Sequence, residues 1–252
     1  MPKLWEIAEA LDAKYPFADA CAYDNVGLLV GHKERSVKKI LIALDVTFAV
    51  VDEAIREGAD LILSHHPVIF REIKRVTDES YTGSLLLRLI EGKLAALALH
   101  TNFDRGEDGN NDLLAQRLGA GAYEKIEDGF ATVFDLPREI SLEEFAKEVK
   151  EVLSDAVIRT IGKGTVRKVI ASCGAGIDEG LILLAAERNA VIVTADIKHN
   201  YASMAKDLGV RVVETTHYAS EWAFTEEIKA FLAEKFGEVE LLVSKENINP
   251  YD

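Results

Sequence analysis

The sequence predicts an α/β protein of two lobes with mainly parallel sheets. Three observations carry this prediction. Short apolar runs alternate with amphipathic helical stretches, glycines follow many of those stretches, and no linker or repeat interrupts the pattern. Of 252 residues, 48% are apolar, which suits one large domain or two modest lobes. We therefore expect βα units along most of the chain.

The first half contains three strands that alternate with three helices. Gly58, Gly92 and Gly119 each follow a helical stretch and serve as stop signals, while residues 101–103 are interpreted as loop. The predicted elements are strands at 39–44, 60–63 and 94–99 and helices at about 47–57, 84–91 and 111–118. This order predicts a first α/β lobe over residues 1–128.

The second half begins less regularly and then returns to alternation. Ser141 and Glu144 form a Ser-x-x-Glu capping box, which opens a helix that runs to about residue 153. The other predicted elements are strands at 131–136, 156–160, 168–172, 191–194, 210–213 and 239–243 and helices at 178–189, 201–208 and 216–236. We predict a second α/β lobe over residues 129–252, whose 215–225 segment returns ligands to a shared site.

Charge and cysteine content exclude several classes of protein. The chain has 29 basic and 43 acidic residues, and a net charge of −14 disfavours general nucleic-acid binding without hindering cation binding. Cys21 and Cys173 cannot make a disulfide framework and lie in no CxxC pattern. The N-terminus is not signal-like, and no apolar run approaches the roughly 20 residues that span a bilayer. We expect a cytoplasmic protein with no membrane partner.

Ligand-type side chains follow four of the predicted strands directly. They are His65 and His66 after 60–63, His100 and Asp104 after 94–99, Asp196 and His199 after 191–194, and Glu214 and His217 after 210–213. In open α/β sheets, ligands bind beyond the carboxyl ends of the strands. One histidine after a strand is more often structural than a ligand, but several such groups at one sheet edge favour a binding site. The sequence therefore predicts a metal site in a cleft at these strand ends.

Three short segments provide the candidate metal ligands. His65 and His66 are adjacent, and beyond the end of a strand their imidazoles could serve different metals of a pair; the alternative is a polar turn. His217 and Glu221 share one helix face at i, i+4, although such pairs are also common on solvated faces. Asp104 could bridge two metals, or it could be a turn or N-cap residue.

The donor chemistry narrows the choice of metal. Imidazole and carboxylate ligands without thiolate suit two divalent ions of zinc, iron, manganese or cobalt. Two such ions roughly 3.5–4 Å apart can clamp a phosphate or activate a water for hydrolysis. His100, His199 and Glu214 are candidates for acid–base or ligand-orienting roles, and nothing in the sequence singles one of them out. The catalytic residues therefore stay unassigned.

Two glycine-containing segments offer alternative binding sites. Residues 162–165 lack the spacing of a phosphate loop, which excludes that interpretation. Residues 173–176 follow a strand and precede a helix, so their backbone amides could cradle an anion. A third glycine of a dinucleotide-binding motif is missing at its expected place, and we favour a tight βα turn here.

Motifs along nearly the whole chain resemble those of the NIF-three-like family, whose members are often described as GTP cyclohydrolase I type 2 homologues. The motifs are DNVGLLVG (24–31), ALDVT (43–47), SHHP (64–67), HTNFD (100–104), TADIKH (194–199) and HYASE (217–221). Ala195 and Asn200 depart from the family's usual glycine and histidine. Each motif is short, but their order and spacing together are specific.

The resemblance implies a two-lobed α/β fold with a dinuclear metal site. It implies that the metal ligands are His65, His66, Asp104, His217 and Glu221. It also implies a ring-like homohexamer built from dimers, and an activity similar to that of a GTP cyclohydrolase. The chain is too short to contain the long middle insertion of some members.

Three functions are compatible with these observations. The first is a metal-dependent hydrolase that acts on a nucleotide or another phosphorylated small molecule. The second is a chaperone that delivers metal or a cofactor precursor, which would exchange metal without turnover. The third is an oligomeric scaffold or regulatory protein, which would keep its partners after loss of the metal ligands.

Overall fold

The computed structural model describes residues 1–251, which form ten α-helices and eleven strands. The helices are α1 (Leu4–Lys14), α2 (Phe48–Glu57), α3 (Tyr81–Glu91), α4 (Thr101–Arg105), α5 (Asn110–Arg117), α6 (Leu142–Leu153), α7 (Glu179–Arg188), α8 (His199–Asp207), α9 (His217–Glu221) and α10 (Ala223–Lys235). The strands are β1 (Gly27–Val30), β2 (Lys39–Ala43), β3 (Leu61–Ser64), β4 (Ala95–Ala98), β5 (Glu124–Ile126), β6 (Ala131–Ser141), β7 (Arg159–Ile161), β8 (Thr165–Ala171), β9 (Val191–Thr194), β10 (Arg211–Glu214) and β11 (Glu240–Val243).

The first sheet is mostly parallel. Its strand order is β1-β4-β3-β2-β11, and only the edge strand β1 runs antiparallel to its neighbour. The central strands β3 and β4 are buried along their whole length, as expected for parallel strands covered on both faces. Leu41, Ile62 and Ala96 on the sheet pack with residues of α2 and α3 in one apolar core.

The second sheet is mixed. Its order is β5-β6-β8-β9-β10-β7, with β8, β9 and β10 parallel and the other three pairs antiparallel. Phe134 and Val169 belong to a core with residues of α5 and α6, and Ile170 and Ile192 to a core with residues of α7 and α8. The parallel strands β8, β9 and β10 lie in the middle of this sheet. The two sheets and their helices confirm the α/β class.

The chain divides into two compact units at other places than the predicted 128/129 boundary. The first unit contains Met1–Gly106 and Phe224–Ile248, and the second contains Glu107–Ala223 with the tail from Asn249. Strand β11 explains part of this difference, because it pairs with β2 in the first sheet. Helix α5 explains the other part, since its buried Leu114 packs in the core of the second sheet.

Several helix ends follow the expected capping chemistry. The side chains of Thr47, Ser141 and Asp178 accept hydrogen bonds from the first turns of α2, α6 and α7. Gly58 closes α2 with a left-handed φ of 68°, which an L side chain would adopt only with strain. These ends agree with the predicted start and stop signals.

Three local predictions were wrong or incomplete. Residues 101–103, interpreted as loop, form the first turn of α4, because the Asp24 carboxylate accepts hydrogen bonds from the Thr101 amide and hydroxyl. The single helix expected over 216–236 is divided into α9 and α10 at Trp222. Helix α1 and the short edge strand β1 were not predicted, although Leu4, Ile7 and Leu11 of α1 are buried and have the spacing of one helix face.

Among residues 1–251, none of the helices is both long enough and apolar enough to cross a bilayer.

Candidate metal centre

Three histidines come together at the carboxyl edge of the first sheet. His65 and His66 follow β3, and His100 follows the neighbouring parallel strand β4 by two residues. Their ring centroids are 4.8 Å (His65–His66), 5.1 Å (His65–His100) and 5.4 Å (His66–His100) apart. One ring nitrogen from each lies within 4.8 Å of the others, close enough to hold a metal ion. The predicted gathering of ligand-type side chains at the strand ends therefore occurs in this unit.

The same kind of hydrogen bond orients all three rings. The Nδ1 atom of His65 is 2.8 Å from the Leu99 carbonyl oxygen. The Nδ1 atoms of His66 and His100 are each 2.9 Å from a carboxylate oxygen, of Asp45 and Asp24 respectively. A proton on Nδ1 donates to these acceptors and leaves the Nε2 lone pair available to a metal.

Asp104 adds a carboxylate to this group. It lies in α4, is only 8% exposed, and places Oδ1 3.4 Å from Nε2 of His65. The Asp24 carboxylate holds the start of α4 through Thr101 and holds His100 through Nδ1. Burial opposes the charge of Asp24, but hydrogen bonds from His100 and Thr101 keep its pKa well below the ordinary range. Asp24 therefore stays ionised while it positions both elements.

The second unit presents its own histidine–carboxylate pair on α9. Nε2 of His217 is 3.0 Å from Oε2 of Glu221, and Glu221 is buried. Nδ1 of His217 is 2.7 Å from Oδ2 of Asp196, which repeats the arrangement of the first unit. Thr216 caps α9 by accepting a hydrogen bond from the Ala219 amide. The predicted i, i+4 pair is thus a partly buried, hydrogen-bonded pair and not a solvated surface pair.

Two carboxylates control the charge of His217 in the metal-free protein. Burial favours the neutral imidazole, but the nearby Glu221 and Asp196 carboxylates outweigh it and raise the pKa of His217 to about 11. His217 and Glu221 therefore share a proton at neutral pH, and a bound cation would replace that proton.

The glycine turn after β8 makes room for this pair. Gly174 has φ +55°, and a Cβ atom built on it would lie 2.3 Å from Oε1 of Glu221 and 3.1 Å from Nε2 of His217. The Gly174 amide donates to the Ser220 hydroxyl, which fixes the turn against α9. The segment 173–176 is the tight βα turn favoured by the sequence, and it also supports the candidate ligands.

Two other candidates have different places. Oε1 of Glu214 accepts hydrogen bonds from Arg159 (2.7 Å) and from the Ile197 amide (3.0 Å). Glu214 therefore anchors the segment that carries Asp196. His199 is exposed at the first residue of α8 and belongs to no potential metal-binding group among residues 1–251.

The orienting role of Asp24, Asp45 and Asp196 was not predicted from the sequence, where only Asp196 was named, as a ligand-type residue after a strand. Each lies in one of the motifs of the family resemblance, and Asp45 and Asp196 lie just beyond β2 and β9. The signal that could have found them is chemical. A ligating histidine usually donates its second N–H to a carboxylate or carbonyl, so each imidazole implies such a partner.

The donor set fits divalent transition metals. The first unit offers imidazole nitrogens and the Asp104 carboxylate, and the second offers His217 and Glu221. Neither Cys21 nor Cys173 belongs to a potential metal-binding group among residues 1–251. Nitrogen and oxygen donors of this kind suit zinc, iron, manganese or cobalt.

Known proteins are similar to this chain in sequence and in fold over nearly its whole length. The sequence model of the family Duf34/NIF3 (NGG1p interacting factor 3) matches residues 2–250. A Clostridium perfringens protein named GTP cyclohydrolase 1 type 2 homolog is 30% identical over 262 aligned positions, and the alignment covers 99% of each chain.

Two further proteins extend this comparison. A Helicobacter pylori protein named GTP cyclohydrolase 1 type 2 is 29% identical, covering 97% of this chain and 96% of its own. The crystal structure of a Bacillus cereus protein related to NIF3 has a TM-score of 0.93 at 24% identity, covering 100% of this chain and 99% of that one, and shows the fold alone. The chain belongs to the Duf34/NIF3 family.

Proposed function

We propose that this protein binds two divalent transition-metal ions as a dinuclear centre and hydrolyses a nucleotide or another phosphorylated small molecule. The metal ligands in this proposal are His65, His66, Asp104, His217 and Glu221. The observation that carries it is the shared orientation of the imidazoles, each with Nδ1 hydrogen-bonded to a carboxylate or carbonyl. A histidine in a solvated turn does not require a protein acceptor for its Nδ1 proton.

The residues around the ligands suit hydrolysis. When bound, a pair of divalent ions supplies Lewis acidity toward phosphoryl or carbonyl oxygens and lowers the pKa of water. Asp45, Asp24 and Asp196 fix the imidazole rings, so little reorganisation is needed on binding. His100 is the candidate proton carrier, because Asp24 fixes its Nδ1 atom and its ring lies beside His65 and His66. The names of the relatives support a GTP cyclohydrolase-like reaction.

Metal analysis of untagged protein tests the first half of the proposal. We expect about two ions per chain in the wild type after reconstitution with zinc, iron or manganese, and a loss of metal in the folded His65→Ala/Glu221→Ala variant. His199→Ala/Glu226→Ala is the matched control, since both of its side chains are exposed and should not affect the metal content. A metal-free wild type after reconstitution would contradict the proposal.

A nucleotide panel tests the second half. Phosphate release reports hydrolysis of a phosphate ester, and formate release from GTP reports opening of the guanine ring. Bound metal without turnover of any substrate would favour a chaperone for metal or a cofactor precursor. The homohexamer implied by the family resemblance and the cytoplasmic location stay predictions, and light scattering measures the former.

A further inference from the structure

We propose that Phe70 and Arg71 select the substrate of this site: Phe70 stacks against a planar heteroaromatic ring, and Arg71 binds an anionic group attached to it. The inference rests on the proposed function, because it takes His66 as a metal ligand beside the reacting group. It assigns the substrate class as a phosphorylated aromatic base and names the two side chains that recognise it.

A pocket beside His66 provides the space. It lies within the first unit and has a volume of about 420 Å³, which is in the range of small-molecule sites. The residues of its wall that matter here are Asp45, Thr47, His66, Phe70, Arg71 and Tyr81. A ligand in this pocket would therefore contact one of the candidate metal ligands directly.

Phe70 presents an aromatic surface at this pocket. The residue is 42% exposed, and its ring meets that of His100 edge to face with centroids 5.8 Å apart. The exposed Tyr23 ring lies 6.3 Å from it on another side. Exposed aromatic faces bind bases of any sequence by stacking, because every base has a π-face. The Phe70 ring thus lies between the histidine group and the pocket and offers a surface for stacking.

The backbone around Phe70 is held in place. The Asn25 side chain donates a hydrogen bond of 2.6 Å to the Ile69 carbonyl, and Val68 and Ile69 pack against the core of the first unit. The segment therefore presents Phe70 from an anchored backbone, which lowers the entropy lost when a ring binds.

Arg71 is the one permanent cation among the residues that line the pocket. Asp45 and Glu72 also line it, but the Asp45 carboxylate is bound to His66, 2.9 Å from its Nδ1. Thr47, at the N-terminus of α2, adds the positive end of a helix dipole to the same wall. A guanidinium matches a phosphate group with two parallel hydrogen bonds, so a phosphate ester fits this wall better than a neutral nucleoside.

Two probes separate the two contacts. Guanosine carries only the ring and ribose, whereas GMP adds the phosphate. We expect Phe70→Ala and Phe70→Leu to weaken both probes by roughly tenfold or more, and Phe70→Tyr to retain binding. We expect Arg71→Ala to weaken GMP and to leave guanosine unchanged. Arg75→Ala is the matched control, since Arg75 lies in the same exposed segment but outside the pocket wall.

Isothermal titration calorimetry on metal-loaded protein measures these affinities, and metal analysis of every variant accompanies it. The proposal is overturned if Phe70→Leu binds both probes as tightly as the wild type, if Arg71→Ala weakens both probes equally, or if the wild type binds neither. The metal content decides the proposed function separately. A chain that binds metal but shows none of these differences retains its metal centre and loses this pocket assignment.

Discussion

At the residue scale, four histidines share one arrangement. Hydrogen bonds at Nδ1 hold the rings of His65, His66, His100 and His217, with acceptors on a backbone carbonyl or a carboxylate. The orientation of each ring, and the presence of a proton on its Nδ1 atom, are therefore set before any ion arrives. Partners of this kind raise the basicity of the ligand, and their loss usually lowers metal affinity or activity substantially.

Gly174 offers a residue-level test of this preorganisation. In Gly174→Ala, the new Cβ would lie 2.3 Å from Oε1 of Glu221, a flexible side-chain end that can move aside. We expect the fold to survive with a loss of about 1–2 kcal/mol from the left-handed backbone, while metal affinity falls roughly tenfold to a hundredfold. Urea unfolding and metal titration measure the two effects.

The matched control for this substitution is Gly121→Ala. A Cβ at Gly121 has nothing within 4 Å, and the residue does not need a left-handed backbone. It should change neither metal affinity nor the free energy of unfolding by more than a few tenths of a kcal/mol. An unchanged metal affinity in Gly174→Ala would show that the Glu221 position is not critical.

At the element scale, the order of strands and helices was largely predictable and their tertiary partners were not. The alternation of apolar runs and helical stretches reports local burial, so β2, β3, β4, β9 and β10 were all found. Local sequence patterns do not indicate which sheet a strand joins. The strand expected at 239–243 was placed in the second lobe, yet β11 joins the first sheet next to β2.

The candidate site shows the same limit. Ligand-type residues at strand ends were visible in the sequence, because carboxyl ends of parallel strands meet at one edge. The Asp24 partner of His100 is 76 positions away along the chain, and Asp45 is 21 positions from His66. Only the fold brings such residues together, so local spacing could not reveal their roles.

Glu53 provides an element-level prediction about β11. This carboxylate of α2 is only 4% exposed and accepts hydrogen bonds from the Ser244 hydroxyl and the Lys245 amide, directly after β11. We expect Glu53→Ala to lower the free energy of unfolding by about 1–3 kcal/mol, because buried donors lose a charged acceptor. Chemical denaturation measures the change.

Glu57→Ala is the control for this prediction, since Glu57 is exposed at the end of the same helix. Its backbone carbonyl, which accepts from Lys39, is kept in the variant. Equal stability of the two variants would show that Glu53 does not hold the chain after β11.

At the scale of the whole molecule, the net negative charge favours the binding of cations. The net charge of −14 attracts divalent ions and repels polyanions, so a small phosphate ester must rely on local positive groups. Protons compete with metal for the same ligands. Metal binding at these ligands is therefore coupled to pH, and we expect the strongest coupling at His217.

The pKa of His217, raised to about 11, sets the direction of this coupling. In the metal-free protein, protonated His217 stabilises the fold fully below its ordinary pKa of 6.5, and that contribution is lost as the pH rises through about 11. Metal requires the neutral imidazole and must displace the proton. We therefore expect zinc affinity to rise about tenfold from pH 7 to pH 8 for each proton displaced.

Calorimetry in buffers of different ionisation enthalpy counts the protons directly. We expect at least one proton per chain to be released on zinc binding at pH 7.5, and the same number for the exposed control His199→Ala. Zinc binding without proton release would mean that His217 does not ligate the metal, because a ligand histidine with this pKa must lose its proton. The proton count thus tests a ligand assignment that metal content alone leaves open, since a variant can lose metal through local distortion.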